Sequence, residues 1–219
     1  MGLPELFEAN GKVFLLGREG GRIRGLPQVG GECGVIHPGY VGMVYLVSEV
    51  LLSITRRSRG TGVKQDRSTL RILWLVIGLS VGAGIYVATH WRAGVLPFPE
   101  VFSNLGVALF VAGLTLRWWA IVVLGRFFTV DVQIAADHEV VERGPFRVVR
   151  HPSYTGVLLA FLGFALTMGN WVAVLVLMGP IWMAFVYRMR VEEEALTGAL
   201  GEKYLSYMRR TKRLVPGVY

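Results

Sequence analysis

Apolar and polar positions along this chain fall into long blocks rather than the two-residue alternation of a half-buried strand. Apolar runs occupy 38–55, 72–89, 101–124, 155–168 and 171–187. At about 1.5 Å rise per residue, a run of that length comes close to spanning a hydrocarbon core roughly 30 Å thick. The pattern predicts an all-α integral membrane protein with about five transmembrane helices. Gly169-Asn170 turns the last two runs into a hairpin, and Pro180 interrupts the second arm, predicting a kink there. Beyond Arg188, acids and bases alternate with Leu200, Tyr204, Leu205 and Tyr207, which predicts a helix leaving the membrane and lying on its surface.

Three regions follow: an N-terminal surface segment over 1–36, N-terminal transmembrane helices over 37–100, and a core over 101–219. The first is Gly-rich with mixed charges, and its apolar residues (Leu6, Phe7, Val13 to Leu16) are too scattered for a span. A short interfacial helix is the expectation for it. Met1 to Asn10 carries Pro4, Glu5 and Glu8 instead of a basic-then-apolar run, so no cleavable signal is expected.

Composition agrees with a membrane reading, at 53% hydrophobic residues and a mean hydropathy of +0.50. The net charge of +8 comes from bases beside apolar runs, which points to anionic lipid headgroups and away from nucleic acid. Arg56, Arg57, Arg59, Lys64, Arg67 and Arg71 face a single acid, Asp66, in the first connector. With the 125–150 loop and the tail, this connector falls on one side of a five-span chain. The positive-inside rule then places the C-terminus in the cytoplasm. Cys33 is the sole cysteine, and the four histidines lack ligand spacing, so neither an internal disulfide nor a metal site is expected.

Polar residues inside apolar runs narrow the picture. Glu49 lies within the first run, where pairing with a neighbour is the favoured reading. Arg117, followed by Trp118 and Trp119, reads as a side chain snorkelling to the interface. Gly78, Gly82 and Gly84 form a small-residue face for close helix approach.

The long polar loop from Gly125 to Val149 leads into Arg150-His151-Pro152-Ser153-Tyr154-Thr155-Gly156. Loops of that length tend to carry function. Pro152 suits the first helical position, which puts His151 at the helix cap beside unpaired backbone donors. Arg190 and Glu194, four apart, share a helix face in the cluster Arg188-Met-Arg-Val-Glu-Glu-Glu194. A two-helix hairpin returns to the side it left, so this cluster and His151 are neighbours. No Cys or Ser nucleophile with a base, metal set or phosphate loop accompanies them, which suits a reaction that depends on positioning.

The combination Gly144-x-Phe146-x-x-x-Arg150-His151-Pro152-x-Tyr154-x-Gly156, then Arg190-x-Glu-Glu-Glu194, Gly201-Glu202-x-Tyr204-x-x-Tyr207 and Arg213-x-x-Pro216 resembles the isoprenylcysteine carboxyl methyltransferase family of membrane enzymes. The resemblance covers roughly 101–219. It implies S-adenosylmethionine as methyl donor and a lipophilic or prenylated acceptor arriving from the bilayer. It further implies that Gln133, His138, Glu139, Val140, Val141, Phe146, His151, Pro152, Ser153, Tyr154 and Glu194 line the cofactor, and that Arg190 faces the acceptor carboxylate. Phe146 stands where many relatives have Tyr.

Phospholipid or isoprenoid N- or O-methyltransferases share part of this pattern, as do NADPH-dependent membrane sterol reductases. A reductase needs contacts for two phosphates, which Arg126, Arg143, Arg147 and Arg150 could supply. A membrane scaffold without catalysis is the third reading. An arginine beside the methyl donor favours a carboxylate acceptor over a protonated amine, because like charges repel.

Overall fold

The computed structural model describes residues 5–9, 12–16, 37–55, 63–128, 132–134, 139–217 and 219. The chain divides into two compact units, Met1–Gly34 and Val35–Tyr219. In the first, β1 (Glu5–Ala9) and β2 (Lys12–Leu16) pair antiparallel, with Phe7 opposite Phe14. This is a hairpin in place of the expected short helix. Asn10-Gly11 between the strands is the strongest short-range hairpin signal a sequence carries.

The second unit is nearly all helical, as expected. Its helices are α1 (Pro38–Thr55), α2 (Arg67–His90), α3 (Pro99–Leu124), α4 (Pro152–Thr167), α5 (Trp171–Leu200) and α6 (Glu202–Arg210). Two short strands, β3 (Val63–Asp66) and β4 (Val132–Ile134), pair antiparallel and tie the α1–α2 connector to the long loop. Among the described residues, segments of α2, α3 and α5 are long and apolar enough to cross a membrane, and Pro38–Leu52 and Pro152–Thr167 are shorter apolar helices.

Glycines decide how α3 meets α4. Gly106 and Gly113 on α3 face Gly163 and Gly156 on α4, the glycines seven positions apart on each helix. A Cβ at Gly113 would lie 2.5 Å from the Gly156 carbonyl oxygen, so the two backbones touch. The expected face at Gly78 and Gly82 meets no neighbouring atom, and only Gly84 packs, 3.3 Å from Leu177. Close approach in this protein therefore belongs to the α3–α4 pair.

The α4–α5 turn is locked by Asn170. Its Oδ1 accepts from the Val172 and Ala173 amides, and its Nδ2 donates to the Trp91 carbonyl at 2.7 Å. Gly169 holds φ +66°, which favours glycine. Leu177, Ile181, Phe185 and Met189 then run down the buried face of α5. Gly201 breaks the helix at φ +56°, and α6 turns back. Tyr204 and Tyr207 of α6 are buried in the protein, so its apolar side covers the site rather than lying on lipid.

Candidate functional site

The site grows from the start of α4. Pro152 occupies the first turn and His151 the cap, as the sequence predicts. The cap is unusual, because the His151 side chain does not bond to its own helix. Its Nε2 lies 3.2 Å from Glu193 Oε1 instead, and its ring stacks on Tyr154 at 5.4 Å. The C-terminal segment runs parallel to this stretch: the Arg150 amide donates to the Lys212 carbonyl and the His151 amide to that of Arg213.

Glu193 is the hub. Its buried carboxylate accepts from Arg150 Nε at 2.9 Å and from Arg213 Nη2 at 2.7 Å, besides meeting His151. Hydrogen bonding to Glu193 raises the Arg213 guanidinium above its ordinary range, so its charge is permanent. The Tyr207 hydroxyl donates to the Phe146 carbonyl at 2.7 Å, and burial pushes its own ionisation up, which keeps it a neutral donor. The hub thus staples the loop, the α4 start, α5 and the tail together.

From Glu192, the residue before Glu193, a second polar chain runs into the bundle. The Tyr154 hydroxyl donates to Glu192 Oε2 at 2.7 Å and accepts from Arg188 Nε at 3.1 Å. Arg188 also donates to Thr69 of α2 at 3.1 Å. Arg117 of α3 is buried, bonded to Glu49 Oε2 at 2.9 Å and to Ser153 Oγ at 3.3 Å. Glu49 therefore pairs as expected, whereas Arg117 does not snorkel. These residues line a small cavity of about 60 Å³ containing Glu49, Arg117, Ser153, Tyr154 and Arg188. Its walls at Tyr45, Trp74 and Ile77 are shared with an apolar chamber of about 600 Å³ between α1, α2, α3 and α4.

The structure brings Phe146, His151, Pro152, Ser153 and Tyr154 together, all at least half-buried. Val140 and Val141 are half-buried and Glu139 is exposed. Gln133 lies in β4, and His138 falls outside the described residues. Arg190 and Glu194 are exposed. Arg190 sits roughly 160° round α5 from Arg188 at 3.6 residues per turn. The residues that meet the motif are instead Arg188, Glu192 and Glu193, which the sequence reading passed over. Their signal was phase: Ile181, Phe185, Arg188 and Glu192 continue one helical stripe. Among the described residues, no group of His, Cys, Asp and Glu is arranged to hold a metal ion.

Residues 106–198 match the model of the isoprenylcysteine carboxyl methyltransferase (ICMT) family. Protein-S-isoprenylcysteine O-methyltransferase B of Arabidopsis thaliana is 32% identical over 53% of this chain and 60% of its own length. The Schizosaccharomyces pombe protein-S-isoprenylcysteine O-methyltransferase is 30% identical over 53% of this chain and 50% of its own. The chain thus spans about half to three-fifths of the length of these curated relatives. The solved structure of a eukaryotic intramembrane Ras methyltransferase ICMT superposes with a TM-score of 0.59 at 20% identity, covering 84% of this chain and 69% of that one. That likeness establishes the fold as an all-α integral membrane architecture.

Proposed function

We propose that this chain is a multi-pass membrane methyltransferase that moves a methyl group from S-adenosylmethionine to the carboxylate of a lipophilic, prenyl-like acceptor. The observation that carries this reading is the junction of the arginine-lined cavity with the apolar chamber, directly beside the His151–Tyr154 stretch. A polar head and an apolar tail each have a place there. The family match over 106–198 supports the same chemistry.

The residues present suit the cofactor. Glu193 is committed to the hub, but Glu192 is partly open to solvent and Glu194 is exposed. Those two carboxylates would hold the cofactor's amino group and ribose hydroxyls. Val140, Val141 and Phe146 would pack its rings, with Gln133 and His138 as further contacts from the loop. When bound, the cofactor supplies a methyl carbon activated by the adjacent sulfonium charge. Transfer of that methyl group to an acceptor carboxylate oxygen would require no proton to be removed by the chain. The chain's task is alignment and exclusion of water. Of the two candidate arginines, Arg188 lines the cavity and Arg190 does not, so Arg188 is the better partner for the acceptor carboxylate. The site and the C-terminus face the cytoplasm, where the cofactor is found.

Thermal shift of the purified protein in detergent tests this, with S-adenosylhomocysteine against NADPH, because a ligand of the folded state alone raises apparent stability. A shift with S-adenosylhomocysteine only, together with labelled methyl transfer to an S-prenylated cysteine, is the expected result. A shift with NADPH alone would move the protein to the reductases, and silence from both would leave a scaffold.

A further inference from the structure

All three side-chain nitrogens of Arg213 are engaged by the protein itself. Nε and Nη2 donate to Glu193 Oε2 at 3.0 and 2.7 Å, and Nη1 donates to the Tyr219 hydroxyl at 3.1 Å. The guanidinium carbon also lies 5.7 Å from the centre of the Tyr219 ring. An arginine spent in this way acts through its partner rather than on a ligand. Its backbone is fixed as firmly: the His151 amide donates to the Arg213 carbonyl at 3.0 Å, and the Thr155 hydroxyl to that of buried Leu214 at 2.9 Å. Arg150 does a different job. Its Nη1 donates to the Met208 and Thr211 carbonyls, and its Nε gives Glu193 Oε1 one bond at 2.9 Å. A single bond leaves a carboxylate free to turn. The Arg213 fork spans both oxygens, with Nε also 3.2 Å from Oε1, and fixes the carboxylate plane.

That plane aims Oε1 at His151 Nε2, 3.2 Å away. Gripped by two guanidiniums, Glu193 is an ionised carboxylate and can only accept. The His151 nitrogen facing it therefore carries the proton, and the hydrogen bond at one ring nitrogen sets the state of the other. The other, Nδ1, lies 4.0 Å from Glu192 Oε2, beyond hydrogen-bond reach. A proton on Nδ1 would draw that carboxylate in. We infer that Arg213 is a positioning residue: through Glu193 it fixes His151 as the Nε2–H tautomer and leaves Nδ1 as a lone-pair acceptor beside Glu192. Two acceptors side by side suit a ligand group with several N–H bonds, such as an ammonium. The tautomer follows from contacts within the chain, whereas its use in gripping the cofactor's ammonium rests on the methyltransferase reading.

The test uses the full chain in detergent micelles with isotope-labelled histidine, His151 being assigned by the loss of its ring signals in His151→Asn. Without ligand, NMR of the wild type is expected to show one protonated ring nitrogen, Nε2, and one bare one, Nδ1. Arg213→Lys keeps the charge but not the fork, so the two tautomers should mix in roughly equal amounts. Tyr219→Phe removes only the partner of Nη1 and should mix them less. Affinity for S-adenosylhomocysteine by calorimetry should follow the ring: the apparent Kd rises as the inverse of the Nε2–H fraction, about twofold for an equal mixture. A role confined to stability would lower the unfolding midpoint and leave both the ring signals and the Kd of the folded protein in place. A protonated Nδ1 in the wild type, as the other tautomer or as imidazolium, overturns the assignment, and so does an unmixed tautomer in folded Arg213→Lys. Should Arg213→Lys not purify folded, the wild-type signals and Tyr219→Phe still decide it. Failure of S-adenosylhomocysteine to bind the wild type would sink the methyltransferase reading while leaving the ring measurement intact.

Discussion

At the scale of single residues, neighbours in one charge cluster have opposite roles. Glu193 is buried and holds Arg150, His151 and Arg213, whereas Glu194, the next residue, is exposed. Removing the hub carboxylate leaves guanidiniums buried without their counter-charge, a loss of about 3 kcal/mol or more. Glu193→Gln is thus expected to lower unfolding stability in detergent by that order. Glu194→Gln is expected to stay within about 0.5 kcal/mol of wild type, as exposed substitutions do, while weakening S-adenosylhomocysteine binding by calorimetry. Equal stability of the two variants would remove the hub. Arg188 and Arg190 separate in the same way: Arg188→Ala should raise the acceptor KM without moving cofactor affinity, and an unchanged KM would return the acceptor role to Arg190. The His151-Pro152 pivot was legible because proline's missing N–H suits only the first helical turn. Which acid faced it was not, because Arg190–Glu194 and Arg188–Glu192 have the same spacing and differ only in phase against the core.

At the scale of elements, helix existence was plain and helix partnership was not. The first run, 38–55, coincides with α1, and Pro38 opens it. The last apolar run and the charge cluster proved to be one continuous helix, α5, because no glycine or turn residue separates Tyr187 from Leu200 apart from Gly198. Close packing fell to Gly106, Gly113, Gly156 and Gly163, because a small residue marks contact only where another backbone arrives to meet it. The amphipathic pattern of α6 was equally clear, yet an apolar stripe does not say whether lipid or protein covers it. Here protein does, through Tyr204 and Tyr207. The glycine assignment has a direct check. Gly156→Ala would place a methyl group 2.5 Å from the Gly113 carbonyl oxygen, so the α3–α4 contact must open, at a cost of about 3 kcal/mol. Gly82→Ala meets open space and gains helix propensity of up to about 1 kcal/mol. Unfolding titrations in mixed micelles should move the two variants in opposite directions, and a neutral Gly156→Ala would mean that the helices do not touch there.

At the scale of the whole molecule, the connections sort into two ends. At one, the α2–α3 connector meets the α4–α5 turn, through the Asn170 bond to Trp91 and the Leu96 amide on the Gly169 carbonyl at 2.8 Å. At the other, β3–β4 joins the first connector to the long loop, and Lys212 and Arg213 run beside Arg150 and His151. That grouping is what the proposed odd number of crossings demands. The long loop was the least legible part, since its one strand pairs with a segment far away in sequence and local pattern cannot announce such a partner. The basic residues gather at the second end, and the proposed orientation puts that end in the cytoplasm under the positive-inside rule. With Cys33 replaced by serine, a single cysteine at exposed Val95 or at exposed Lys203 reports its own side. A membrane-impermeant maleimide should label Lys203→Cys only in inside-out vesicles and Val95→Cys only in right-side-out ones. Labelling of both from one side would break the odd-crossing arrangement. The reverse pattern would keep the fold but place the carboxylates of α5 away from the cytoplasmic cofactor, which the proposed reaction cannot survive.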